Sequence, residues 1–192
     1  MSTADHADHA NASPHETWRL FFALDPSPAL RCRVIAHAAT WRWDGRARPV
    51  AAHKLHLTLL FLPKVDPANL PELLHLGAAA ASANSGCLLR LDRAEVWPGG
   101  LAHLAPSRVP AYLQALHDNL LRGAQRTGIA CDLRTWHPHL TLARRAAPGQ
   151  EPGEFEALRW QVRGLSLQRS LLGSGRYESL GRWSLQVQAR RP

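Results

Sequence analysis

The sequence predicts an α+β protein, and three observations lead there. Strand-like and helix-like segments come in blocks and do not strictly alternate. One four-residue phrase occurs twice, His56-Leu57-Thr58-Leu59 and His139-Leu140-Thr141-Leu142, once in each half of the chain. The length of 192 residues suits one domain, or two small and closely packed lobes, with a sizeable core.

Residues 1–16 are small and polar and read as a disordered head, its histidines included. Residues 18–24 are apolar and aromatic, as a buried strand requires. Asp25-Pro26-Ser27-Pro28 is a turn that starts a helix over 29–40, with Leu30, Val34 and Ala38 in one stripe. Residues 41–52 form a loop whose Trp41 and Trp43 sit at the edge of the core rather than in a groove. The first motif strand spans 54–62 and stops at Pro63. Asp66-Pro67 caps a helix that runs to about residue 83. Residues 88–97 alternate as one strand, Pro98-Gly99-Gly100 turns, and 101–104 return. An amphipathic helix covers 107–125, with Leu113, Leu116 and Leu120 on one face and Gly128 at its end. Residues 136–144 carry the second motif. Two long strands, 157–171 and 177–188, pair as a hairpin. No short-period repeat occurs, which excludes a solenoid.

Lysine and arginine outnumber aspartate and glutamate by 23 to 15, a net charge of +8. Such a surplus fits an anionic partner, nucleic acid or phosphate. Cys32, Cys87 and Cys131 are far apart and form no C-x-x-C, which argues against a disulfide framework or a cysteine zinc site and for a reducing cytoplasm. No stretch has the length of a membrane span, and no signal peptide opens the chain. A cytoplasmic protein without membrane partners is expected.

The repeated phrase has a physical reading. In a strand, residues i and i+2 share a face. His56 and Thr58 therefore point together, and so do His139 and Thr141, while the leucines point into the core and pin the register. Brought together, one neutral imidazole accepts a proton and one imidazolium donates one. The threonine hydroxyls hold phosphoryl oxygens, and Arg144 adds a charge-assisted grip. This set suits phosphodiester cleavage. His137-Pro138-His139 offers two metal ligands, but no further Asp, Glu or His stands at a recognisable spacing, so no metal and no cofactor are expected. His53, His75, His103, His117 and His137 have no context like that of the pair. Parity raises a difficulty: Arg144 follows His139 by five residues and Phe61 follows His56 by five. An unbroken strand turns both away from the histidines, so the strand must end, twist or bulge.

With these motifs the chain resembles the 2H phosphoesterases, and among them the bacterial RNA 2′,3′-cyclic phosphodiesterases, also called 2′-5′ RNA ligase-like proteins. The resemblance rests on Arg19-Leu20-Phe21-Phe22-Ala23-Leu24, on Leu55 to Leu62, on Pro138 to Arg144 and on the stretch holding Leu167, Ser170 and Gly175. It implies a single bilobal domain over 17–192: two pseudo-symmetric lobes, each an antiparallel sheet with helices outside, and an active-site cleft between them. It implies that His56 is the proton donor to the ribose O3′ and that His139 is the proton acceptor that activates water. Thr58, Thr141 and Arg144 hold the cyclic phosphate, and Phe61 stacks on the base. The expected partner is RNA with a 2′,3′-cyclic phosphate end, the product a 2′-phosphate, the state monomeric. His137 before Pro138 and Trp136 depart from the family's pattern, and 101–104 match weakly; these bear on substrate preference. Two alternatives remain: 2′-5′ RNA ligation as the main activity, by reversal of the same proton shuttle, and a non-catalytic RNA-binding module. Binding alone needs no titrating pair, which disfavours the latter.

Overall fold

The computed structural model describes residues 16–171, 173 and 175–186. The predicted head, apart from Glu16, lies outside the described residues. The elements are, in order, β1 (Trp18–Leu24), α1 (Pro28–Ala38), β2 (Arg48–Pro49), β3 (Leu57–Val65), α2 (Leu70–Ala83), β4 (Cys87–Leu91), β5 (Arg93–Trp97), β6 (Leu101–Ala105), α3 (Ala111–Arg126), β7 (Leu140–Arg144), β8 (Leu158–Val162), β9 (Gly164–Leu171) and β10 (Arg176–Ser184). The α+β class holds.

The main sheet is antiparallel with the order β10-β9-β1-β3-β7-β6-β5, and β2 pairs with β7. The two motif strands are therefore neighbours at its middle. They are joined at a single pair, Leu57 with Leu140. That pair divides the sheet into two halves, one with β3 and one with β7. Helix α2 packs on β9, β10 and α3; α3 packs on β3; α1 packs on β8. Leu57, Leu59 and Leu140 are fully buried and Leu142 nearly so. At roughly 1.5–3 kcal/mol per buried leucine side chain, these four penalise a one-residue slip of either motif strand.

Local chemistry sets the helix starts. Ser27 Oγ accepts from Leu30 N at 3.3 Å, with Pro28 opening α1. Asp66 caps a 3-10 turn, Pro67–Asn69, before α2 begins. Helix α3 starts at Ala111, later than the sequence predicts, because Pro110 occupies its N-cap. Trp41 and Trp43 stack at 4.9 Å, and their indoles donate to His37 Nε2 and the Ala38 carbonyl. They belong to the core edge, as expected.

Other expectations need correction. Residues 88–97 form two strands in different sheets. The chain breaks at Asp92, whose carboxylate accepts from the amide and hydroxyl of Ser107. The run 157–171 also divides: β8 leaves the main sheet to pair with β4, and β9 stays in it. Gly164 marks that break, lying so close to the Trp183 carbonyl that a Cβ would sit 2.6 Å from it. The predicted loop 41–52 contains β2 and runs into a 3-10 turn, Ala52–Lys54. Strand β3 begins at Leu57 and continues through Pro63 to Val65. Proline is tolerated there because β7 pairs with β3 only at Leu57, so Pro63 lies on an open edge.

Candidate active site

Antiparallel pairing of Leu57 with Leu140 places the two motifs head to tail. The same register sets His56 toward Thr141 and Thr58 toward His139. All six residues singled out in sequence, His56, Thr58, Phe61, His139, Thr141 and Arg144, line one cleft of about 490 Å3.

The parity difficulty is resolved in the same way on both strands. Between Thr58 and Leu60, β3 advances two residues while β1 advances one, from Ala23 to Phe22. Between Thr141 and Ala143, β7 advances two while β6 advances one, from His103 to Ala102. Each strand thus carries a bulge three residues after its histidine, at Leu59 and at Leu142. Burial records the irregularity: Leu59 and Leu60 are consecutive buried residues, and so are Leu142 and Ala143. The bulges return Phe61 and Arg144 to the histidine face, at equivalent positions of the two halves.

Beyond the Leu57 pair, β3 has no strand neighbour on its β7 side among the described residues, yet its carbonyls are satisfied. Trp136 Nε1 donates to Thr58 O at 3.0 Å, His117 Nδ1 to Leu59 O at 2.8 Å and the Asp132 amide to Phe61 O at 2.9 Å. Trp136 and His117 stack face to face at 4.3 Å. On β7 the equivalent edge is finished by backbone: β2 pairs with Ala143 and Arg144, and the Val50 amide donates to Leu142 O.

Both histidines are held alike. His56 Nδ1 lies 2.6 Å from Lys54 O, and His139 Nδ1 lies 2.8 Å from His137 O. A carbonyl only accepts, so Nδ1 carries the proton in each and Nε2 is left for proton transfer. Their walls differ. Phe21 (4.8 Å) and Tyr177 (5.5 Å) enclose His56; Trp97 (4.6 Å) and His103 (5.5 Å) enclose His139. Burial is the largest influence on both imidazoles and pushes each below the ordinary histidine range. At His56 the Lys54 carbonyl and the Asp25 carboxylate oppose that push, while His139 and Arg144 reinforce it. At His139 only the His137 carbonyl opposes it, and Arg144 and His137 reinforce it. A carboxylate thus favours the charged form on one side only.

Sequence reasoning set His103 and His117 aside, and the structure places both against the motifs. His103 is wholly buried opposite Thr141, with Nδ1 on Leu101 O and Glu95 3.9 Å from Nε2. Phe21, Tyr177 and Trp97 were also missed. They come from strands distant in sequence, and no local pattern marks them. Among the described residues no three His, Cys, Asp or Glu side chains gather as a metal site would need. No described helix is long and apolar enough to cross a membrane.

Comparison with known proteins points to a family. The pattern of the 2′-5′ RNA ligase superfamily matches residues 26–173. An RNA 2′,3′-cyclic phosphodiesterase of Escherichia coli is 35% identical over 177 residues, 88% of this chain and 98% of that protein. A protein of the same name from Thermus thermophilus is 32% identical, over 80% of this chain and 82% of its own length. The crystal structure of E. coli LigT complexed with 3′-AMP superposes with a TM-score of 0.79 at 33% identity, covering 88% of this chain and 99% of that one.

Proposed function

The chain belongs to the 2′-5′ RNA ligase superfamily, and from that premise we propose that it hydrolyses RNA 2′,3′-cyclic phosphate ends to 2′-phosphates by metal-independent two-histidine catalysis. The observation that carries this reading is the head-to-tail pair: two imidazoles, each with Nδ1 tied to a backbone carbonyl, flanking one cleft that also holds two threonines and Arg144.

The steps use these groups alone. His139 Nε2 accepts a proton from water, and the hydroxide oxygen bonds to phosphorus. The bond from phosphorus to O3′ breaks in line with that attack, and His56 Nε2 gives its proton to O3′. The O2′ bond is kept, so the product is a 2′-phosphomonoester. Solvent then exchanges the proton from His139 back to His56. Thr58, Thr141 and Arg144 hold the non-bridging oxygens, where charge builds in the transition state. Phe61 offers a face for the base. Asp25 supports His56 as the acid, because its charge favours imidazolium there, and His139 has no carboxylate of that kind among its influences.

The test is hydrolysis of a short RNA with a 2′,3′-cyclic end, in EDTA, with the product's phosphate position resolved. A 2′-phosphate at an undiminished rate is expected. Loss of turnover on chelation rejects the metal-free chemistry, and a 3′-phosphate rejects the assignment of O3′ as leaving group.

A further inference from the structure

The cleft that holds the two histidines continues past each of them, and the two continuations differ in charge. Beyond His139 lies a groove of about 490 Å3 with an aromatic lining of Phe61, Trp97 and Trp136. Its Arg134 is clamped to Asp132 at 2.6 Å. Beyond His56 lies a groove of about 710 Å3 bordered by Arg31, Lys54, Arg182 and His53. Asp25 is the acidic side chain that lines it. None of Arg31, Lys54 and Arg182 has a carboxylate within 4 Å among the described residues. Arg31 Nε is buried without a hydrogen-bond partner. Three cations thus line the groove beside the proposed acid, with one carboxylate among the lining residues.

Ribose chemistry says what belongs there. O3′ sits on C3′, whose neighbour C4′ carries C5′ and the preceding phosphodiester. O2′ sits on C2′, whose neighbour C1′ carries the base. Placing O3′ at His56 sends the chain toward the cationic flank and the base toward Phe61 and the aromatic one. The charge of each flank matches what the sugar sends into it.

We propose that the groove beyond His56 is a subsite for the phosphodiester that precedes the cyclic end, gripped by Arg31, Lys54 and Arg182. It rests on the hydrolase reading with His56 at O3′. The subsite makes the enzyme prefer a chain terminus over a free cyclic nucleotide, through phosphate contacts that ignore sequence.

The experiment compares kcat/KM for three substrates: 2′,3′-cyclic CMP, the same nucleotide bearing a 5′-phosphate, and a dinucleotide with the same cyclic end. The dinucleotide should exceed the mononucleotide by about tenfold or more, as charge-assisted phosphate contacts imply. The 5′-phosphate alone should recover most of that gain. The advantage should shrink as salt rises, as for any charge contact to phosphate. In the double variant Arg31→Gln, Arg182→Gln the ratio of dinucleotide to mononucleotide should fall toward one. Because it is a ratio within one preparation, general loss of folded protein cancels. A wild-type ratio near one, a gain that needs the second nucleoside and not its phosphate, or a ratio kept by the double variant overturns the subsite. No hydrolysis of any of the three overturns the hydrolase reading, and the subsite with it.

Discussion

The half-site of His56 and the half-site of His139 use one backbone design and differ in nearly everything attached to it. In both, a histidine binds the carbonyl two residues before it, a threonine follows on the same face, and a bulge at the third residue past the histidine re-aims the fifth. That fifth residue is Phe61 in one half and Arg144 in the other. The open edge past Thr58 is closed by the side chains of Trp136 and His117 and the Asp132 amide, whereas that of β7 is closed by strand β2. Asp25 acts on His56, and His139 has Trp97 and His103 instead. The difference teaches that symmetry of backbone supplies a pair of equivalently held imidazoles, and the surroundings make them unequal.

The comparison breaks most readily at the histidines. His56→Ala and His139→Ala should each lower kcat by at least the ~10²–10⁴-fold ascribed to general acid–base catalysis. If one variant stays near the wild-type rate, the halves do not act as a pair. Next come the fifth positions. Arg144→Ala should cost about 10²–10³ in kcat/KM, as for loss of a transition-state donor. Phe61→Ala should act mainly on KM, by the roughly 1–3 kcal/mol of one stacked base. Equal effects of the two on kcat and KM deny them separate roles. Thr58→Val and Thr141→Val should each cost about tenfold or somewhat more, the scale of a hydrogen bond to a charged group. An effect on one alone locates the phosphate within a single half.

The smallest effect is on pH, and its sign separates acid from base. Burial pushes both imidazoles down, so each is charged only at lower pH than usual. The base must be neutral, which sets the acid limb; the acid must be charged, which sets the alkaline limb. Both limbs of kcat/KM should therefore lie below the ordinary histidine range near ~6.5. Removing the Asp25 charge lowers His56 further, so Asp25→Asn should move the alkaline limb down and leave the acid limb in place. Movement of the acid limb instead would exchange the roles of the two histidines.

Much of this was legible in the sequence where the signal is local. The alternation around His56 and His139 gave the faces, the leucines gave the register, and parity required an irregularity before Phe61 and Arg144. What stayed illegible is set by partners far along the chain. Asp92 breaks a run that alternates well, because Ser107 reaches back to it. Gly164 lies against the backbone of Trp183, which no pattern within 157–171 announces. The position of each bulge is a mismatch with β1 or β6, visible only once those strands are paired. Tyr177 and Phe21 wall His56 because β10 and β1 pass it, and a buried histidine such as His103 shows its neighbour only in three dimensions.

The single pair between Leu57 and Leu140 makes the middle of the sheet its most compliant line. On either side, neighbouring strands are tied over several residues; here one residue pair spans the seam. His56 and His139 each stand one residue from that pair, so they would lie beside the axis of any bend there. Elements so near the fold of a hinge change their separation least for a given angle. A bend of that kind would widen the cleft at its outer rims while the two imidazoles keep their spacing. Amide exchange at Leu57 and Leu140 faster than at Leu20 and Leu62, a ladder pair well inside one half, is the mark such bending leaves.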